Sequence, residues 1–400
     1  MIQVTREAKM AAEIIKHWAA QLPQTPAIQS ALNDFSHYAF KRAESWRWTP
    51  SQALFTPRSL SFADYEFSFS DTIADDFTQV EQAEVWVKAL SDVPFAHLNV
   101  ALLEKAFVMD IPAEYDDEQV NTIGIEVSEG LAQFSRVVVK AGEGSKSALW
   151  INVKLAPHAA AFPVIYLELS EKAELDVVLW IDGDSEAVQS ALVCAKQADH
   201  SILRVNVAQM TVGAFSRIDV RNDMQGEEAE FYLGGVQSPA GNTILDLHAG
   251  LRHSQVGGKS HQILRGVVDE SAFAQFDGMI YVDSIAQKTD AQQDSRYILL
   301  SENARSQSVP RLEIYADDVQ CAHGSTAGNL DEDALFYLRS RGIDLEVAQK
   351  VLLLSFLHEA VVVEHEALSM NLRHAINISW TGEQEDEVDY HSSEESEAEE

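Results

Sequence analysis

Residues 136–169 read RVVVKAGEGSKSALWINVKLAPHAAAFPVIYLEL: three short apolar runs separated by Gly, Ser, Pro and His. Within Arg136–Lys140, Ile151–Leu155 and Val164–Leu169 the dominant period is two, which sends successive side chains to opposite faces of a strand. The same texture continues outward through Leu203–Val207, Ile218–Val220, Ile244–Leu247, Gly278–Val282 and Leu312–Tyr315. No convincing helical pattern interrupts residues 123–322. So many short strands must close, sandwich or stack to manage their edges. Sandwiches hold about 100 residues per domain, so this span would need two with a linker, and none is visible. A propeller would repeat every 40–50 residues or so, and no such repeat is evident. A parallel β-helix tolerates loops of unequal length but needs something at both ends. The flanking sequence offers that, and the chain is expected to be a β-helix between helical caps.

The flanks read as helices. Ala11, Ile14, Ile15, Trp18 and Leu22 fall on one helical face before Pro23, and Thr25-Pro26 opens a second stripe through Ile28, Leu32, Phe35 and Ala39. Further helical patterns are expected over Val80–Leu90 and His97–Val108. After the strands, Asp331 is placed to cap DEDALFYLRSRG, with Gly342 as its terminator. Asp344 is placed to cap one long helix, LEVAQKVLLLSFLHEAVVVEHEAL, which is apolar almost all round and is expected to be buried in the fold or against a partner.

The 400 residues carry 29 Lys and Arg against 63 Asp and Glu, a formal net charge of −34. Ten of the acids lie between Glu383 and Glu400, a polar tail expected to be disordered, but the body is acidic as well. A surface this negative repels phosphate backbones and anionic headgroups, which argues against nucleic acid and membrane as partners. The two cysteines, Cys194 and Cys321, make neither a disulfide scaffold nor a CxxC zinc site. The start, MIQVTREAKMAAEIIKHW, lacks an export-signal core, and Val351–Val363 is shorter than the roughly 20 residues needed to span a bilayer. A cytoplasmic location is expected.

Candidate chemistry is sparse. Gly258-Lys259-Ser260 ends like a phosphate loop, but position 253 is His rather than Gly and a strand pattern follows. His358-Glu359 begins like a zinc-protease helix, but position 362 is Val. Asn377-Ile378-Ser379 is a chance glycosylation match. A carboxylate pair of a polysaccharide hydrolase or lyase needs two acids about 5–10 Å apart across a bond, and no acidic cluster on neighbouring strands stands out. Cys321 and His323 differ from these. On a strand running from Leu312 to His323 they share a face, bringing a thiol and an imidazole together after the acidic pair Asp317-Asp318. Sulfur and imidazole nitrogen suit iron, zinc or copper(I), and a second chain or a substrate must supply the remaining ligands.

From Ser260 to Arg341 the sequence resembles the SufD family of iron–sulfur cluster assembly proteins. The resemblance is carried by Gln262, Gly266-Val267, Gly278-Met279-Ile280, AQKTDA at 286–291, LLS at 299–301, PRLEI at 310–314, ADDV at 316–319, CAHG at 321–324 and LFYLRSRG at 335–342. Trp46 with Trp48-Thr49-Pro50, LNVA at 98–101 and Ile111-Pro112 also fit. The resemblance implies a mainly β chain: a right-handed parallel β-helix over 116–328, an N-terminal helical domain over 1–115, a C-terminal helical domain over 329–380 and an acidic tail over 381–400. It implies a non-catalytic scaffold that pairs with SufB through the β-helix ends and binds the SufC ATPase through its C-terminal helices. The nascent iron–sulfur cluster would form at the SufB–SufD interface, with Cys321 and His323 as this chain's contribution. Phe336, Tyr337, Leu338, Arg339 and Arg341 are the expected partner anchors, since aromatics and Arg dominate interfaces. The same free β-edge would allow a homodimer in isolation. A rival reading is a SufB-like subunit that accepts sulfur on a thiol inside the β-helix, for which Cys194 is the candidate.

Overall fold

The computed structural model describes residues 106–381, apart from positions 185 and 212, together with 29–33, 61–62, 67–69, 77–78, 93, 95–96 and 98–99. The expected stripe over 11–22, the pattern over Val80–Leu90, Trp46, Trp48 and the acidic tail lie outside the described residues. Residues 29–33 are helical, as the second stripe requires.

Two sheets run the length of the described chain and share one core. The first contains parallel strands from Ala106–Ile111 to Arg305–Ile314, and the second from Asp116–Val127 to Gln320–Gly328. Each strand pairs with the strand two further along the chain, so every coil gives one strand to each sheet. This is the expected β-helix. Its inner space is dry and branched: Val137, Val139, Ile165 and Leu167 of one sheet face Leu149, Ile151, Val153 and Leu155 of the other, all buried in a single cluster. Burying such side chains stabilises by about 1.5–3 kcal/mol each.

The corners explain how mixed sequences build regular coils. Lys172, His200 and Glu228 step into left-handed backbone, at φ 56°, 57° and 52°. That conformation is uncommon outside glycine. Each step turns its N–H to the carbonyl of the next coil's turn: Lys172 to Asp199 at 2.9 Å, His200 to Glu227 at 2.8 Å and Glu228 to Val256 at 2.9 Å. The ladder continues through the turns and offsets the local strain.

Three local expectations differ from the structure, two at strands and one in the C-terminal helices. The helical pattern over His97–Val108 stops short, because Ala106–Ile111 is a strand paired in parallel with Leu131–Ala141. The stretch from Leu312 to His323 is two strands rather than one. Arg305–Ile314 ends one sheet and Gln320–Gly328 ends the other, with the Tyr315–Val319 turn between them.

Three helices follow: α1 (Glu332–Ser340), α2 (Leu345–His358) and α3 (Glu366–Thr381). Asp331 caps α1 through its carboxylate, which accepts from the N–H groups of Asp333 and Ala334. The long helix expected over 345–368 is broken between His358 and Glu366. The break is imposed from the outer face of the second sheet. Asn206 donates to Ala360 O at 2.6 Å and accepts from Val362 N at 2.9 Å and Val363 N at 3.1 Å. Asp176 accepts from Glu364 N at 2.6 Å and His365 N at 2.8 Å, and so caps α3 from another element. Arg265 binds Glu359 at 2.7 Å, and Arg204 binds Glu364 at 2.7 Å. Gly234 is required here: a Cβ at that position would sit 1.9 Å from Ala360 O. Beneath the break, Val178, Trp180, Ala208, Met210 and Val236 pack against Leu353, Leu357, Leu368, Leu372 and Ile376. None of the helices among the described residues is long and apolar enough to cross a membrane.

The first sheet's outer face is covered differently. Phe95 stacks on Phe162 at 4.6 Å, Asn99 donates to Ser135 O and Phe162 O, and Arg136 binds Asn99. Further along that face Arg217 pairs with Asp219 at 2.8 Å and with Asp246 at 3.1 Å, all without solvent exposure.

Two stability predictions follow from the buried polar groups. Asn206→Ala strands two N–H groups and a carbonyl beside the sheet, at about 1–3 kcal/mol for each unsatisfied group. Urea unfolding should show a loss of about 3 kcal/mol, and hydrogen exchange should speed up over 357–365 while the strands stay protected. His253 lies inside the coil with Nε2 2.9 Å from Ser260 Oγ, and burial pushes its imidazole down to about 4. Between pH 6.5 and 4 the unfolded chain therefore takes up a proton that the native chain refuses, and stability falls as pH falls. The loss from pH 7 to pH 4.5 should be about 2–3 kcal/mol larger in the parent chain than in His253→Gln.

Candidate functional site

The two ends of the solenoid differ. At the beginning, Phe77–Thr78 pairs antiparallel with Ala106–Ile111, and Phe67–Phe69 pairs antiparallel with Asp116–Val127. At the far end, Arg305–Ile314 and Gln320–Gly328 each have a strand partner on one side only, among the described residues. Their residues are half-buried or exposed, unlike the sealed strands before them. The last coil therefore presents unpaired backbone edges from both sheets and the open mouth of the core.

Register decides which side chains line that mouth. Cys321 sits over Ala291, His323 over Gln293, Ser325 over Ser295 and Ala327 over Tyr297. All four partners are inward-facing or buried, so Cys321 and His323 point to the inner side of the final coil. From the opposite sheet, Ser306, Ser308 and Leu312 lie in register over Ala274, Phe276 and Ile280. Ser308 Oγ lies 2.6 Å from Ser295 Oγ across the core. In the coil before, these positions are held by Ala274, Phe276, Ile280, Ala291 and Gln293, whereas the last offers hydroxyls, a thiol and an imidazole.

Cys321 is half-buried and packs against the end of the hydrophobic core, as do Leu312 and Val319. Burial pushes its thiol up, Asp290 adds to the rise, and a backbone hydrogen bond at Ala291 opposes it. His323 is exposed. Among the described residues no group of three or more His, Cys, Asp or Glu is placed to hold a metal ion. The mouth thus holds two adjacent donors of the kind that bind iron, and a metal bound there takes its other ligands from elsewhere.

The helical anchors fall into two groups. Phe336 and Tyr337 are 74% and 55% exposed, and Arg339 and Arg341 are exposed too. Arg341 lies 4.6 Å over the Tyr337 ring. Leu338 is half-buried, and α1 has no fully buried residue. Exposed Leu345, Val347 and Val351 extend the apolar surface onto α2.

The weaker motifs resolve into structure. Lys259 pairs with Glu230 at 2.9 Å and Ser260 faces inward to His253, both on the strand Lys259–Val268. Glu359 of the His-Glu pair binds Arg265. Cys194 is buried on the outer face of the first sheet, clustered with Val93, Ala96, Val164, Tyr166 and Leu192 rather than inside the coil. The hydroxyl wall formed by Ser306 and Ser308 and the amide of Gln293 escape sequence reading, because only register brings them to the same mouth.

The raised thiol gives a direct test. Alkylation of Cys321 by iodoacetamide should follow a pH profile displaced to higher pH than that of a free cysteine in a peptide, and Cys194 should stay unmodified in the native chain. Peptide mass mapping across pH 7–10 reads both.

The SufBD core domain of the SUF system for iron–sulfur cluster assembly matches residues 124–356. The chain is 35% identical over 147 residues to the iron–sulfur cluster assembly protein SufD of Escherichia coli, covering 37% of this chain and 35% of that one. It is 34% identical over 178 residues to a SufBD family protein of Synechocystis, covering 44% and 38%. A SufBD family protein of Mycobacterium bovis is 24% identical over 364 residues, covering 84% and 89%. The match spans little more than a third of the length of the first two relatives. With more than half of its residues inside the matched core domain, this chain belongs to the SufBD family of iron–sulfur cluster assembly proteins.

Proposed function

We propose that this chain is a non-catalytic scaffold subunit of a SufBCD-type complex, on which a nascent iron–sulfur cluster is built as cargo. The observation that carries the reading is the open last coil. Cys321 and His323 share a face at a mouth whose strand edges are free on one side among the described residues. A free parallel edge is a template for another chain's strand. A SufB-class partner docking there would close the core, satisfy the edge and add the missing ligands in one step.

The raised thiol fits this order of events. Before docking, the protonated Cys321 is a poor ligand and a poor nucleophile. Docked beside iron, it would give up its proton to coordinate. The exposed aromatic and Arg surface of α1 and α2 would hold the SufC-class ATPase, whose nucleotide-driven movement would change access to the joint. The domain plan belongs to the same proposal, with its first boundary moved from 115 back to 105 because Ala106–Ile111 is already a coil strand: the residues before it and 329–380 flank the β-helix, the acidic tail serves solubility, and the complex works in the cytoplasm. In isolation the same edge would pair two copies of this chain.

The sulfur-accepting alternative finds no support at Cys194, which packs beneath Val93 and Ala96 outside the coil. The polysaccharide-enzyme alternative needs carboxylates facing a cleft, whereas Asp219 and Asp246 are sealed against Arg217.

Co-production with SufB- and SufC-class subunits tests the proposal. Cys321→Ser and His323→Ala should leave the three-subunit complex intact on a sizing column. Its iron and acid-labile sulfide should fall several-fold. Full cluster content in both variants would remove the site.

A further inference from the structure

Two glutamine pairs inside the coil run in the same direction. Gln237 Nε2 donates to Gln209 Oε1 of the preceding coil at 2.8 Å. Gln293 Nε2 donates to Gln262 Oε1 of its preceding coil, also at 2.8 Å. In both, the later coil supplies the donor and the earlier coil the acceptor. The first ladder is completed by a different residue type: Tyr297 reaches back over Gly266 and its hydroxyl donates to Gln237 Oε1 at 2.9 Å.

The second ladder lacks that completion. Gln293 is 2% exposed, and its Oε1 has no hydrogen-bond partner. The amide is held in place from across the core, where Gly278 leaves room for it: a Cβ there would lie 1.9 Å from Gln293 Nε2. The next residue in register, one coil later, is His323. Neighbouring strands lie about 4.8 Å apart, which is within reach of an imidazole leaning back along the coil. A buried acceptor without a donor is unfavourable, and in the Gln237 row the corresponding oxygen takes its donor from a later coil.

We propose that Gln293 is a positioning residue for His323: its free Oε1 accepts the imidazole N–H and so turns the other ring nitrogen, with its lone pair, toward the open mouth. Histidines that bind metals generally donate their second ring nitrogen to such a partner, which fixes tautomer and ring orientation. Here the amide ladder supplies it from inside the coil. Gln262 anchors Gln293, Gly278 makes space for it, and His323 closes the row. The inference deepens the proposed donor role of His323 and rests on it for its purpose; the structure leaves the bond itself unmade, and it is expected to form in the chain without iron.

The test is proton NMR of the full-length, metal-free chain with ¹⁵N-labelled histidine, the His323 signal being identified by its loss in His323→Ala. A His323 ring N–H protected from exchange with water is expected in the parent chain. It should be retained in Gln293→Glu, which keeps an acceptor. Exchange should quicken at least tenfold in Gln293→Leu, and in Gly278→Ala, which displaces the amide without altering it. An unprotected His323 ring in the parent chain overturns the inference, as does protection that survives Gln293→Leu. Cluster content then separates the two claims. A protected ring with normal cluster content in His323→Ala keeps the bond and sinks the donor role. An unprotected ring with cluster lost in His323→Ala does the reverse.

Discussion

Parallel, in-register pairing governs this molecule. Strands inside the solenoid pair on both sides, and inward side chains rest on those a coil below. Such an arrangement has no internal reason to stop. It ends only where another element covers the edge or where the edge is left for a partner. Short antiparallel strands meet the first coil, while Gln320–Gly328 and Arg305–Ile314 carry nothing on their far sides among the described residues. The candidate site is a consequence of that asymmetry. Cys321 and His323 occupy positions that would be sealed core in any earlier coil and become accessible only because they are last.

The chemistry of the mouth follows from the same rule. A core position that is never covered cannot hold a large apolar side chain without exposing it. The final coil therefore sets Ser306, Ser308, Cys321 and His323 where the coil before it has Ala274, Phe276, Ala291 and Gln293. Residual burial still raises the Cys321 thiol, so the core it borders opposes its ionisation. The glutamine rows inside the coil belong to the same logic. Polar groups are admitted to the interior where a neighbour one coil away can pair with them.

The solenoid was legible because its signal is local: alternation over five residues and turn residues between runs, as in 136–169. The pairing of Cys321 with His323 on one face was legible too, since it needs only a spacing of two. Their inward direction was not, because it depends on their register against Ala291 and Gln293, some thirty residues earlier. The break at 359–365 was hidden for a stronger reason. Its sequence favours a continuous helix, and the groups that interrupt it, Asn206 and Asp176, lie far away in the chain. The joined strand expected over 312–323 failed because Asp317 and Asp318 sit in a turn that carries the chain from one sheet to the other. Long-range hydrogen bonds outweighed local preference in the helix, and coil geometry did so in the strand.

The staple at Asn206, Asp176 and Gly234 also has a mechanical meaning. It fastens the α2–α3 hairpin to coils in the middle of the solenoid, while α1 follows directly from the terminal strand. A load applied to the hairpin has its fulcrum at mid-length. The terminal coil lies beyond that fulcrum, tied to the hairpin along the chain by α1 and beneath it by Val267 and Ile298, so the lever is short and stiff.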